Sequence, residues 1–163
     1  MPMSPQEIAT LRGLMEYEAN RSAPPAGFPA LPDIPAGRYT GPRFFALEQT
    51  HLWRRSWLLA AHIDELPAKG DFLLWDKAGQ PVLLVHDDRD QIVAFYNTCS
   101  HRGAPVVTEL SGNRRRFTCP YHGWSYNRDG ELVAIRDPAD FHSLDLTQRG
   151  LKPIRCERFG NLI

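Results

Sequence analysis

Two short stretches limit what this chain can be. Cys99-Ser100-His101-Arg102-Gly103 sets a cysteine and a histidine one residue apart, and Cys119-Pro120-Tyr121-His122-Gly123-Trp124 sets a second pair two residues apart. Seventeen residues separate His101 from Cys119. Thiolate and neutral imidazole are metal ligands, so a mixed pair on each of two loops points to a metal centre gripped from both sides. Cys156, the third cysteine, has no histidine near it in sequence. An odd cysteine count argues against a disulfide framework. The start, Met-Pro-Met-Ser-Pro-Gln-Glu, has no basic segment followed by an apolar one, so no signal peptide is read and a reducing, cytoplasmic setting is expected.

Two Cys and two His also make a tetrahedral zinc site. Zinc fingers, however, place a C-x2–4-C pair first and an H-x3–5-H pair later, whereas here each pair is mixed. A [2Fe–2S] cluster with two thiolates on one iron and two imidazoles on the other, the Rieske arrangement, asks for such a set. Exchanging two thiolates for imidazoles removes negative charge and raises the potential. Gly103 and Gly123 permit positive φ and close backbone approach, so N–H groups can face the cluster sulfurs. The reading is one [2Fe–2S] cluster per chain with Cys99, His101, Cys119 and His122 as its ligands, and zinc as the rival.

The rest of the chain reads as one ordinary domain with an N-terminal addition. Ser4-Pro5-Gln6-Glu7 has the form of a capping box, followed by Ile8, Leu11 and Met15 at helical spacing. Residues 21–42, rich in Pro, Gly and Ala, read as an extended arm, and 43–55 as a second helix. From Trp57 the pattern turns to short β segments, expected near 57–62, 71–76, 81–86, 91–97, 115–118, 124–127, 131–135 and 151–156. Strands this short, separated by turn residues, predict an all-β fold, an antiparallel sandwich or small barrel, with two cluster-binding loops and an N-terminal helical extension. The expected division is 1–56 for the extension and arm and 57–163 for the cluster domain. Lys+Arg and Asp+Glu both number 19, which gives no argument for nucleic acid, and no apolar run is long enough to span a bilayer as a helix.

The two loops resemble the cluster-binding loops of Rieske non-haem iron oxygenases, more narrowly the α subunit of aromatic-ring-hydroxylating oxygenases. Arg38-Tyr39-Thr40 and the segment 44–57 resemble the stretch that precedes the Rieske domain there. Cytochrome bc-type Rieske proteins fit less well, because Ser100, Pro120 and Tyr121 offer none of the additional cysteines of their loops. The resemblance implies one-electron transfer from a reductase or ferredoxin to a mononuclear Fe(II) of a neighbouring α subunit, in aromatic hydrocarbon catabolism, with a homotrimer as the intact enzyme. It also implies a potential at the low end of the Rieske range, roughly −150 mV.

The family's mononuclear iron is held by two His and one carboxylate. No Asp or Glu followed by two closely spaced His is found here, and His51, His62, His86 and His142 are scattered. The expected chain therefore carries the first redox centre without a catalytic residue of its own, as part of a longer oxygenase; a free-standing Rieske-type ferredoxin is the alternative. Trp124 and Tyr121 are expected to shield the cluster. Arg114-Arg115-Arg116 reads as a solvated loop or a dock for an acidic donor, and Cys156 as a small buried hydrophobe.

Overall fold

The run Val-Leu-Leu-Val at 82–85 has apolar side chains at consecutive positions, so both faces of any strand it forms must be covered. The computed structural model, which describes residues 3–163, builds the fold around that strand. Residues up to Gly41 and residues Pro42–Ile163 form two compact units.

The first unit holds α1 (Pro5–Asn20) and the short α2 (Gly37–Thr40). The capping box is present: Glu7 N–H donates to Ser4 Oγ and Ser4 N–H to the Glu7 carboxylate. Hydrogen bonding from the Ser4 backbone N–H, helped by the Ser4 side chain, holds the Glu7 carboxyl below its ordinary value. Every residue of α1 is exposed, including the Ile8, Leu11 and Met15 stripe. The expected featureless arm contains one helical turn, α2, which is closed by Gly41 N–H donating to the Gly37 carbonyl.

The second unit starts with α3 (Pro42–Glu48), which passes into a π-helical turn over Gln49–Trp53. The expected 43–55 helix is thus two kinds of helix in succession. Eight strands follow: β1 (Asp71–Trp75), β2 (Val82–His86), β3 (Ile92–Tyr96), β4 (Ser111–Asn113), β5 (Phe117–Thr118), β6 (Ser125–Tyr126), β7 (Leu132–Ala134) and β8 (Pro153–Ile154). They make two antiparallel sheets, β4-β1-β2-β3-β8 and β5-β6-β7. The all-β antiparallel expectation holds, as two open sheets; no sheet closes into a barrel among the described residues.

Side-chain alternation along β2 divides the interior in two. Leu83 and Val85 face a core shared with Phe72, Phe95, Val106, Val107, Phe117, Trp124 and Tyr126, which joins the two sheets. Phe72 of β1 and Phe117 of β5 meet edge to face across it, 5.6 Å between ring centroids. Leu84 faces the other way, into a smaller core with Ala61, Leu66, Ala94 and Ile163. Cys99 and Cys119 belong to the first core, so the two loops are rooted between the sheets.

Two expected strands differ. Residues 57–62 form no ladder: Ala60 N–H donates to the Ile163 carbonyl, Ile163 N–H to the Ala61 carbonyl, and His62 bridges Leu162. Trp57 and Leu59 stay exposed, so the two largest alternate side chains of the apolar run that suggested a strand face solvent. The strand expected over 151–156 shrinks to Pro153–Ile154 on the edge of β3. The sequence reading had no strand at Ser111–Asn113, which pairs with Asp71–Leu73.

Candidate metal centre

Both cysteine loops follow one backbone plan. In the first, Cys99 N–H donates to the Ala104 carbonyl (2.8 Å) and Gly103 N–H to the Cys99 carbonyl (2.9 Å). In the second, Cys119 N–H donates to the Trp124 carbonyl (2.8 Å) and Gly123 N–H to the Cys119 carbonyl (3.0 Å). Each turn closes on its glycine at φ +75°, the left-handed region where a Cβ is costly. The loops differ in where the histidine sits: His101 is two residues past its cysteine and His122 three. Tyr121 therefore holds, in the second loop, the position that His101 holds in the first.

The first loop is clasped from below by Asn97, a buried side chain. Its Oδ1 accepts from the N–H groups of Val106 and Val107, both at 3.0 Å, and its Nδ2 donates to the Val107 carbonyl at 2.7 Å. Ser100 Oγ donates to the Gly150 carbonyl at 2.7 Å, tying the loop tip to the segment before β8. Tyr126 reaches up from β6: its hydroxyl accepts Ser100 N–H at 3.0 Å and lies 3.2 Å from Cys99 Sγ. With the oxygen accepting from Ser100, the phenolic proton is free for the sulfur. Burial, reinforced by Cys99, pushes the Tyr126 phenol above its ordinary range, so it keeps that proton.

The four sequence-predicted donors lie in two pairs, Cys99 beside Cys119 and His101 beside His122. Cys99 and Cys119 are buried free thiols. Burial pushes the Cys119 thiol up and Cys99 adds to this, while the backbone N–H groups of Tyr121 and His122 pull it down. Outside them, His101 and His122 meet with ring centroids 4.7 Å apart at 70°. His101 stacks flat on Trp124 (4.7 Å, 10°) and meets Phe141 edge-on (5.9 Å, 87°). Its Nδ1 is buried and has no hydrogen-bond partner. Desolvation, with the nearby His122 and Arg102, holds the imidazole below its ordinary value, so a lone pair is available at neutral pH.

A buried ring nitrogen with no partner is costly in an apolar core and apt as a metal ligand. A single zinc ion needs its donors around one point. Two inner thiols and two outer imidazoles match instead the donor set of a two-iron cluster, two sulfurs for one iron and two nitrogens for the other. The residues present fit that group.

The remaining candidates lie elsewhere. Cys156 is half-buried against the outer core, and burial pushes its thiol up. His86 Nδ1 pairs with the Leu66 carbonyl at 2.8 Å, and His62 Nδ1 accepts Asp64 N–H at the start of a 3-10 turn. Arg114 is paired with Glu109 and lies over the Phe72 ring at 5.3 Å, whereas Arg115 and Arg116 are exposed. Asn97, Tyr126 and Phe141 were not singled out by the sequence reading. Their contacts to the loops depend on pairings that no local spacing encodes.

The family model of the Rieske [2Fe–2S] domain matches residues 56–147, more than half of the chain. The glycine betaine monooxygenase oxygenase subunit of Chromohalobacter salexigens is 36% identical over 131 residues, covering 80% of this chain and 29% of that one. The naphthalene 1,2-dioxygenase of Rhodococcus sp., solved with indole bound, superposes with a TM-score of 0.75 at 25% identity, over 98% of this chain and 34% of that one. A quaternary ammonium Rieske monooxygenase, described for carnitine oxidation by gut microbiota and inter-subunit electron transfer, superposes with a TM-score of 0.73 at 29% identity, over 78% and 35%. The chain thus spans under a third of the length of the curated relative and about a third of these structures. No described helix is long and apolar enough to cross a membrane. With both loops inside the matched span, the chain belongs to the Rieske [2Fe–2S] domain family and is homologous to the α subunits of Rieske oxygenases.

Proposed function

We propose that Cys99 and Cys119 hold one iron and His101 and His122 the other, and that the chain is the electron-relaying part of an oxygenase α subunit. The observation that carries this is the division of the donors into an inner thiol pair and an outer imidazole pair, with His101 Nδ1 unpartnered. When bound, the cluster supplies one-electron redox chemistry. The protein's own side chains set its surroundings. Trp124 and Phe141 keep water from His101, and the Tyr126 hydroxyl donates to Cys99 Sγ.

In this reading, residues 1–56 are the helical extension and arm and 57–163 the Rieske domain. The donor is a reductase or ferredoxin, and the acceptor is a mononuclear Fe(II) in a further polypeptide segment or a neighbouring α subunit. The assembly is a homotrimer in the cytoplasm. The substrate is a small organic molecule, an aromatic compound as in naphthalene dioxygenase or a quaternary ammonium compound as in the betaine and carnitine enzymes. Loaded with cluster, the chain should take up one electron near roughly −150 mV. Supplied with reductant, ferrous iron and panels of aromatic and quaternary ammonium compounds, it should form no hydroxylated product above a no-protein control. Turnover there, or a potential several hundred millivolts more positive, would overturn the assignment to an oxygenase relay.

Tyr126→Phe tests the surroundings separately. It deletes one hydrogen bond to a sulfur whose charge grows on reduction. A bond of about 1 kcal/mol corresponds to roughly 40 mV in a one-electron couple. The variant's potential is expected to fall by about that amount with cluster content unchanged; redox titration followed by EPR reads both, and an unmoved potential would deny Tyr126 a part in tuning.

A further inference from the structure

The two imidazoles are held in unlike ways. His101 packs against both Trp124, buried at 3% exposure, and the half-buried Phe141, which also touch each other. His122 has no such wall: its aromatic neighbours are the His101 edge and Tyr121, whose ring centroid is 3.7 Å away at 34°. Tyr121 is itself 61% exposed, so its ring contributes little to the core, and its contact with His122 is what the structure gives it to do. The one-residue offset between the loops explains this. A ring two positions past the second cysteine occupies the place of a ligand in the first loop, beside the candidate metal site but without a coordinating nitrogen.

We infer that Tyr121 is a positioning residue for His122, fixing the plane of that imidazole from the solvent side as Trp124 fixes that of His101. The inference rests on the reading of His122 as a cluster ligand. This tilted ring contact needs the ring and not the hydroxyl, so phenylalanine should serve and alanine should not. Without the ring, His122 is free to rotate and is open to water.

The experiment uses the cluster-loaded chain in four forms: parent, Tyr121→Ala, Tyr121→Phe and Trp57→Ala. The last removes an equally exposed aromatic outside the site. Pulsed EPR of the reduced protein reads the nitrogen couplings of the two imidazoles, and loss of visible absorbance in air reads the lifetime of the cluster. In Tyr121→Ala one of the two nitrogen couplings should change or broaden and the cluster should be lost roughly fivefold faster. Tyr121→Phe and Trp57→Ala should match the parent. A Tyr121→Ala protein that takes up no cluster while Tyr121→Phe does would also support the inference. Couplings and lifetime unchanged in Tyr121→Ala would overturn it, as would a Tyr121→Phe protein that behaves like Tyr121→Ala. A parent chain without iron and sulfide would instead refute the ligand reading on which the inference stands.

Discussion

Cys119→Ala should yield a folded chain that holds no iron. The substitution removes one sulfur from a buried position at the edge of the inter-sheet core, a loss of about 1 kcal/mol that a domain of ordinary stability survives. It also removes one of the two thiolates proposed to hold an iron. Iron and acid-labile sulfide should fall from about two of each per chain to near zero, with the far-ultraviolet circular dichroism of a folded β protein retained. Cys156→Ser is the matched comparison. That thiol packs against the outer core with Ile154, Ile92 and their neighbours, in a different cluster of side chains from Cys99 and Cys119, so the cluster spectrum should not change. Iron retained in Cys119→Ala, or lost in Cys156→Ser, would show that the ligand set is wrong.

Asn97→Ala should cost about 3–6 kcal/mol of stability. The side chain satisfies two buried N–H groups and one carbonyl at once, and an alanine leaves all three without that partner. Each buried polar group so abandoned costs about 1–3 kcal/mol, and water has little room to replace the amide. Because total stability is only about 5–15 kcal/mol, a loss of this size is a large share of it. Urea unfolding of the cluster-free chain should show the midpoint shifted down by roughly 2 M. The clasp lies two residues before Cys99, so the same variant should also bind iron less completely. A midpoint within about 0.5 M of the parent would mean that Val106 and Val107 find other partners and that the first loop does not depend on Asn97.

The parts of this protein that were legible in its sequence are those whose signal is local. The capping box needs only Ser4 and Glu7 three residues apart, and it forms. β1, β2 and β3 follow from compact apolar runs separated by turn residues, and their registers pair neighbours in sequence. The four candidate donors could be singled out because the chemistry of a mixed thiolate and imidazole set restricts residue type and spacing together. What was hidden depends on distant partners. Ser111-Gly112-Asn113 carries no apolar run to mark a strand and becomes β4 because β1 offers it an edge 40 residues earlier. The run from Trp57 reads as a strand, yet its partner is the chain end at Leu162 and Ile163, which supplies bridges rather than a ladder. Tyr126 is an ordinary aromatic by its neighbours in sequence and becomes part of the site only through a contact 27 residues away. Trp124, by contrast, was expected to shield the centre, and its flat stack on His101 gives that expectation a geometry.

The central claim is that the inner thiols and outer imidazoles hold two irons rather than one zinc. Anaerobic purification followed by metal and sulfide analysis, with EPR of the dithionite-reduced protein, tests it most directly. About two irons and two sulfides per chain are expected, with the spectrum of a cluster of mixed cysteine and histidine ligation. A colourless protein with one zinc per chain and no sulfide would contradict the claim.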